Sequence, residues 1–459
     1  MRETSGATSY AKRNADNESV LSAWLLFIDK TILDHIIKCT ETEARRVLGN
    51  DDWSLSREEL LAYISILYAR GVSGARNIEL HSLWSTPWGL TFCKETMSRD
   101  RFCEISRFLR FDIKSTRRGR LKKDKFAMIS EVWNRFVDNC ITCYKPGQNI
   151  TIDEQLFPSK TRCPFTQYIA SKPDKYGQKF WVAADLKTKY ILNTFPYLGK
   201  NEERDQSQRL SEFVVMKLIE PFQNMGRNVT VDNFFTSLEL AKKLKEKRTS
   251  LVGTMNRARR EIPDCIKIGK AELYSTKLLR NEESGATLTA YQCKKKKNVI
   301  ILSSMHSNIN IANNSKKTPE TITFYNETKF GVDIVDQMCR KYSVKAGSRR
   351  WSIHTFYNIL DFAAINAWII FKCVSGKKIS RRNFIRSLAE ELRLDYCKIS
   401  NEKKRKREPE RETEDSLKRR KCEIKRCRGN VTNKLCFTCK RFVCGKCTKV
   451  LMYKCMDCN

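Results

Sequence analysis

NVTVDNFFTS, Asn228 to Ser237, passes from an alternating segment of β type directly into a helical pattern, and a carboxylate, Asp232, stands at the junction. Upstream, NITIDEQL (Asn149 to Leu156) alternates in the same way, with Asp153 in its middle. Downstream, GVDIVDQM (Gly331 to Met338) sets Asp333 and Asp336 one helical turn apart. An Asp within a first strand, one at the end of a later adjacent strand and one on a following helix is the arrangement an RNase H-like sheet provides. The fold class expected is therefore multidomain, α/β and α, with an RNase H-like domain at its centre.

Charge narrows the partner. Among 459 residues, Lys plus Arg exceed Asp plus Glu by 87 to 52, a net +35. That excess is far beyond what solubility requires and implies a polyanion, nucleic acid before an anionic membrane surface. The sequence shows no run of about 18 apolar residues and no signal-peptide pattern, so no membrane partner is expected. Of the 19 cysteines, eight lie between Cys422 and Cys458, and the scattered remainder read as buried reduced thiols. Cys140 and Cys143, a lone C-x-x-C in an apolar helical run, are read as core rather than as half a metal site.

Taken in order, residues 1–18 are polar and aperiodic and read as a disordered arm. Residues 19–148 carry helical periodicity, one run from Val20 to Val47 and further runs at Ser54 to Tyr68, Arg99 to Phe111 and Phe126 to Ile141. Between the last two, Lys114 to Lys125 reads as a basic loop able to meet phosphate. Strands and helices alternate over 149–256, a basic and Asn-rich insertion fills 257–318, the α/β pattern resumes over 319–341, and 342–400 is helical again. Residues 401–421 contain almost no apolar side chain and read as a linker. Its clusters Lys403, Lys404, Arg405, Lys406, Arg407 and Lys418, Arg419, Arg420, Lys421 have the layout of a bipartite nuclear-localisation signal, so a nuclear protein is expected.

Cleavage of a phosphodiester by two metals needs several carboxylates converging on ions about 4 Å apart. Hard cations such as Mg²⁺ (or Mn²⁺) select such oxygen ligands. Taken singly, each aspartate has an ordinary role: Asp232 as a helix cap, Asp336 as a solvated charge. Together in one basic chain they read as a catalytic set.

The motifs TIDEQL, KPDKYGQKFWVAAD, YLGK, VTVDNFFTS, LVGTMNRARREIP, FGVDIVDQM and RRW before an apolar helix, in this order, resemble the piggyBac transposases over nearly the whole chain. The resemblance implies an RNase H-like catalytic domain interrupted by an insertion and embraced by a helical dimerisation and DNA-binding domain built from both flanks. It implies that Asp153, Asp232 and Asp333 are catalytic metal ligands, with Asp336 a further family carboxylate on the same helix. It further implies a homodimer that moves DNA by cut and paste between transposon terminal repeats and TTAA targets, through hairpin ends. Lys172, Lys175 and Lys179 of the KPDKYGQK motif, and Arg349, Arg350 and Trp351, are candidate DNA contacts, since cations beside an aromatic suit phosphate plus an unstacked base. Two departures are a short N-terminal segment in place of a long acidic one, and Cys447 where members have a His. The alternative to an active transposase is a domesticated descendant acting as a non-catalytic chromosomal DNA binder.

Residues 422–459 read Cys422-x4-Cys427-x8-Cys436-x2-Cys439-x4-Cys444-x2-Cys447-x7-Cys455-x2-Cys458, enough thiolates for two tetrahedral Zn²⁺ sites. The pairs can be joined consecutively or crosswise. Crossed sites, Cys422, Cys427, Cys444 and Cys447 on one ion and Cys436, Cys439, Cys455 and Cys458 on the other, tie both halves together and are also what the resemblance implies. Basic residues among the ligands favour DNA as the finger's partner; a chromatin or protein contact is the second role.

Overall fold

The computed structural model describes residues 4–85, 87–199, 204–205, 207–267, 271–295, 297–407 and 419–449. At its centre is a nine-stranded mixed sheet built from β1 (Asn149–Pro158), β2 (Thr166–Tyr168), β3 (Tyr176–Asp185), β4 (Ile191–Pro196), β5 (Asn228–Val231), β6 (Ser250–Thr254), β7 (Thr276–Arg280), β8 (Thr287–Lys294) and β9 (Lys297–Ser303). The order is β2-β3-β1-β5-β6-β9-β8-β7, with β4 paired to the same strand, β3, as β2. β1 is antiparallel to β3, and β3 to β4, while β5 and β6 run parallel to β1. Three antiparallel strands followed by two parallel ones form the RNase H-like core, and the chain is of mixed α/β fold. β5 is buried at every residue, as a strand covered on both faces must be, and β1 at six of its ten, with Asp153 and Glu154 among the part-exposed ones.

The segment 257–318 does interrupt the chain between β6 and the next helices. Its three strands nevertheless extend the central sheet, with β9 antiparallel to β6, rather than forming a sheet of their own.

Helices cover the sheet. The one of most consequence is α3 (Trp351–Ser375), once α1 (Lys114–Leu121) and α2 (Ser130–Cys143) have been placed before it in the chain. α3 is long and apolar enough to cross a membrane, yet 72% of that apolar stretch is buried within the protein, so it is a core helix. Several of its polar side chains pair with the sheet. Asn358 donates to Gln155 Oε1 (2.9 Å), Thr355 to Gln178 Oε1 (2.8 Å), and Asn366 both accepts from Ile191 N (2.8 Å) and donates to Ile191 O (2.9 Å). Cys140 and Cys143 are wholly buried, as the core reading expects, and burial foremost pushes the Cys143 thiol up to about 12.

Contacts divide the chain into two units, Met1–Tyr396 and Cys397–Asn459. Four expectations are corrected. The N-terminal arm is ordered from residue 4: Gly6–Ala7 pairs with Tyr144–Lys145, and a helix Ser9–Asn14, capped by Thr8, buries Ala11. The run from Val20 to Val47 is two helices, Val20–Leu25 and Lys30–Leu48, the second started by Asp29, whose carboxylate accepts from Ile32 N at 3.0 Å. The basic loop is largely the helix α1, because the buried Asp112 carboxylate binds Arg117 (2.8 Å) and Arg120 (2.7 Å) from its inner side. Finally, the helix Arg381–Arg407 continues through the first basic cluster of the linker; residues 408–418 lie outside the described residues.

Asp361 of α3 is 4% exposed and accepts from Ser343 Oγ (2.6 Å) and Val344 N (2.9 Å); burial raises its carboxyl to about 7. A folded-state pKa above the unfolded value of about 4 means the fold binds the extra proton, so this group's contribution to stability falls as pH rises from about 4 to 7. Asp361→Asn is expected to flatten that slope. Urea denaturation at pH 5 and pH 8 should show a smaller difference in the variant than in the natural protein, by an order of 2–4 kcal/mol.

Candidate active site

The register of the central strands builds the site. Ile152 of β1 and Val231 of β5 are Cα partners in parallel, so the residues that follow them, Asp153 and Asp232, emerge side by side. After β5 the chain turns at once. Asp232 Oδ1 accepts from Phe234 N (3.0 Å) and its carbonyl accepts from Thr236 Oγ1 (2.8 Å), while the helix Leu238–Glu246 is capped by Ser237. Asp232 is therefore not that helix's cap. Gly253 of β6 lets this turn lie close, since a Cβ there would meet Thr236 Oγ1 at 2.1 Å.

The third carboxylate arrives through two further helices, α4 (Glu320–Thr328) and α5 (Gly331–Lys341), whose junction is pinned to both strands in turn. Thr151 Oγ1 of β1 donates to Thr328 O (2.9 Å) and Thr230 Oγ1 of β5 to Thr328 Oγ1 (3.0 Å). A Cβ on Gly331 would strike Thr151 Oγ1 at 2.4 Å, so only glycine allows α5 to start against β1. Asp333 follows two residues later, exposed, and the Tyr325 phenol feels Asp232, Asp153 and Asp333 together.

Electrostatics single out this corner. Burial, then Glu154, then Asp232 hold the Asp153 carboxyl well above the usual range, and burial foremost raises Asp232. Neighbouring carboxylates in a partly dry site cannot all ionise cheaply. The cations nearest are Lys172 and Lys179, each 4.0 Å from Glu154, and Lys179 also lies 3.9 Å over the Trp181 ring, where burial lowers its pKa. Among the described residues the aspartate oxygens do not gather within 4.8 Å of one another, as like charges would resist. The donor set is oxygen only and comes from three separately fixed elements, so it fits a hard divalent cation.

The remaining sequence candidates divide. Asp336, expected beside Asp333, turns to Arg340 instead (3.1 Å), and burial raises its carboxyl. Lys175 and Arg349 are exposed. Trp351 is 8% exposed and packs on Phe126 and Phe165, and Arg350 donates to Leu109 O (2.6 Å) and Ser106 O (2.5 Å). Trp351 is thus held in the protein interior and the part-buried Arg350 is turned to backbone carbonyls, which corrects the expectation that all three of Arg349, Arg350 and Trp351 face DNA. Residue-by-residue reading missed Glu154, Tyr325 and Arg340. Glu154 adjoins Asp153 in sequence, and Arg340 follows Asp336 at the i,i+4 spacing of an ion pair, so both signals were present.

In the second unit, the sulfurs of Cys422, Cys427, Cys444 and Cys447 lie within 4.8 Å of one another. The Asn430 amide donates to Cys444 Sγ (3.5 Å) and lowers that thiol to about 6. Four sulfurs so placed fit one zinc. Cys436 and Cys439 are described apart from this group, while Cys455 and Cys458 lie outside the described residues.

A sheet of this order carrying one aspartate within a strand, a second at the end of the adjacent strand and a third on a following helix defines the class of DDE transposase domains. The family described as Transposase IS4 matches residues 21–368. The human piggyBac transposable element-derived proteins 3 and 2 are each 22% identical over 79% of this chain, which spans 62% and 63% of their lengths, a little under two thirds. A solved piggyBac transposase, in a synaptic complex with hairpin DNA, superposes with a TM-score of 0.83 at 29% identity, each chain covered completely. The chain belongs to the piggyBac transposase family.

Proposed function

We propose that this protein is an active DNA transposase that cuts and rejoins phosphodiesters, excising an element by its terminal inverted repeats and inserting it at TTAA. The observation that carries this reading is the pairing of Asp153 with Asp232 at the parallel β1/β5 register, with α5 locked against the same strands. Asp153, Asp232 and Asp333 would hold Mg²⁺ or Mn²⁺, and the bound cations would activate the attacking oxygen and stabilise the leaving one. The chain's own part is to keep those carboxylates on rigid elements, while Lys172 and Lys179 offset charge beside Glu154. Lys175 and Arg349 stand exposed to meet the DNA backbone. The likeness to a synaptic complex favours a homodimer on two DNA ends. The names of the human relatives, derived from transposable elements, support the second reading, a domesticated DNA binder. Incubating supercoiled plasmid bearing the candidate element with the protein and Mg²⁺ decides between them: cleavage at repeat ends supports the transposase, and tight binding without any cleavage supports the domesticated form.

The basic clusters Lys403 to Arg407 and Lys418 to Lys421 direct nuclear import in this reading. Alanine at all nine positions is expected to move a fluorescent fusion of the full chain out of the nucleus; a fusion that stays nuclear removes the assignment. Two zincs in the tail complete the cofactors, with DNA as that unit's first partner and chromatin its second.

A further inference from the structure

Beside the carboxylates lies a cavity of about 890 Å³ walled by six cations, Arg76, Lys160, Arg162, Arg340, Lys345 and Arg349. Arg340 is central to its chemistry because it is held from two sides that differ in kind. Its Nε meets Asp336 on the same helix at 3.1 Å, a carboxylate only 15% exposed, while Nη1 meets Asp174, 43% exposed on the turn between β2 and β3. From behind, Arg76 Nη1 donates to the Arg340 carbonyl (3.0 Å), tying the helical flank to the end of α5. Asp336 lines the cavity with Arg340 and Lys172 as its charged neighbours, whereas Asp153 has Glu154 and Asp232 beside the shared Lys172 and does not line it. The fourth aspartate therefore belongs to the cation cavity and not to the carboxylate pair.

We propose that this cavity is a phosphate subsite for the DNA strand next to the cut, with Arg340 as its principal contact, Asp336 as the residue that positions Arg340, and Asp174 as a stand-in for phosphate that DNA displaces. Asp174 holds Nη1 alone, so a phosphate oxygen can take its place there while Nε stays on Asp336. Asp174 is the displaceable partner since it sits on an exposed turn; Asp336 is fixed by burial and by the helix. The cavity reaches Gln155, two residues along β1 from Asp153, and Asp336, one helical turn from Asp333. This inference rests on DNA being the substrate.

The test is a double-mutant cycle read by DNA affinity, which needs no cleavage. With a fluorescent duplex at fixed salt, Asp174→Ala is expected to tighten binding about threefold or more, by removing the competitor. Arg340→Gln should weaken it about tenfold and lower the slope of log affinity against log salt by about 1. Arg340→Lys should restore part of the affinity, because the charge returns without the fork. In the Arg340→Gln background, Asp174→Ala should change affinity less than twofold. Equal tightening in both backgrounds would mean that Asp174 acts by general charge, and overturns the displacement. A second readout addresses Asp336: in Mn²⁺ titrations followed by electron paramagnetic resonance, Asp336→Asn should bind like the natural protein while Asp232→Asn loses affinity at least tenfold. Loss of Mn²⁺ by Asp336→Asn as large as by Asp232→Asn makes Asp336 a metal ligand and overturns its positioning role. A natural protein that binds no duplex at all sinks the DNA reading itself, whereas duplex binding indifferent to Arg340→Gln sinks only this subsite.

Discussion

Asp232→Asn is expected to lower Mg²⁺-dependent strand cleavage by about a thousandfold or more while leaving the fold intact. The two halves of that expectation have separate physical grounds. Asn keeps the shape and the one hydrogen bond on which the turn depends, since its Oδ1 can still accept from Phe234 N, held at 3.0 Å in the natural protein. The carbonyl that accepts from Thr236 is backbone and does not change. What disappears is a negative charge next to Asp153, whose carboxyl Asp232 helps to hold above its ordinary range. Removing it relieves repulsion in the metal-free protein, so the thermal midpoint should stay level or rise slightly. With a divalent ion the same change deletes a ligand from a site that has few, and each 1.4 kcal/mol of lost transition-state stabilisation is tenfold in rate. Nicking of supercoiled plasmid and a melting curve measured together check it. Cleavage within tenfold of the natural protein would remove Asp232 from the site, and a midpoint lowered by many degrees would show that it serves the fold.

The central strands were legible in the sequence because their pattern is local. Residues 228–231 and 149–156 alternate or run apolar, the helix after 228–231 carries its own cap in Ser237, and the bounds of Leu210–Ile219 and Ser250–Thr254 follow within a residue. Their order in the sheet is not local. Nothing in Ile152 or Val231 says that they are partners; the patterned segments offered the aspartates as a catalytic set, and the family resemblance implied the role of each. The extension of the sheet by the 276–303 strands was illegible for the same reason: an insertion in sequence need not be a separate layer in space. The N-terminal segment misled because its burying residues are alanines. Ala7 of the short strand, Ala11 of the helix and Ala15 just past its end are all buried yet carry little hydropathy to signal it. Trp351 misled in the opposite direction. An aromatic beside two arginines suggests a base platform, yet the ring finds Phe126 and Phe165, and only the tertiary fold brings those within reach.

Cys436→Ala is expected to release both zincs of the tail rather than one. Cys422 and Cys427 share a tight sulfur cluster with Cys444 and Cys447, pairs between which Cys436 and Cys439 lie in sequence. The first site thus closes a loop that contains half of the second, as crossed ligation requires and consecutive ligation forbids. Cys436 is wholly buried with Ile424 and Val443, and its backbone closes a tight turn, Cys436 N to Arg441 O (2.8 Å) and Lys440 N to Cys436 O (2.9 Å), in which Lys440 adopts a φ of 58°. Three such buried side chains are no self-sufficient core, and a structural zinc contributes about 10–16 kcal/mol of apparent folding energy to a module of this kind. Once the second ion is lost, the turn carrying Cys436 and Cys439 has nothing to hold it, and the strand that follows it to Cys444 and Cys447 loses its placement. Zinc content by atomic absorption should fall from two per chain toward none, and acid, by protonating the thiolates, or a chelator, by taking the metal, should reproduce the effect in the natural protein. A variant that keeps one equivalent of zinc, with the amide signals around Cys422, Cys427, Cys444 and Cys447 unmoved, would show two sites that fold independently, and the interlocked module would then be wrong.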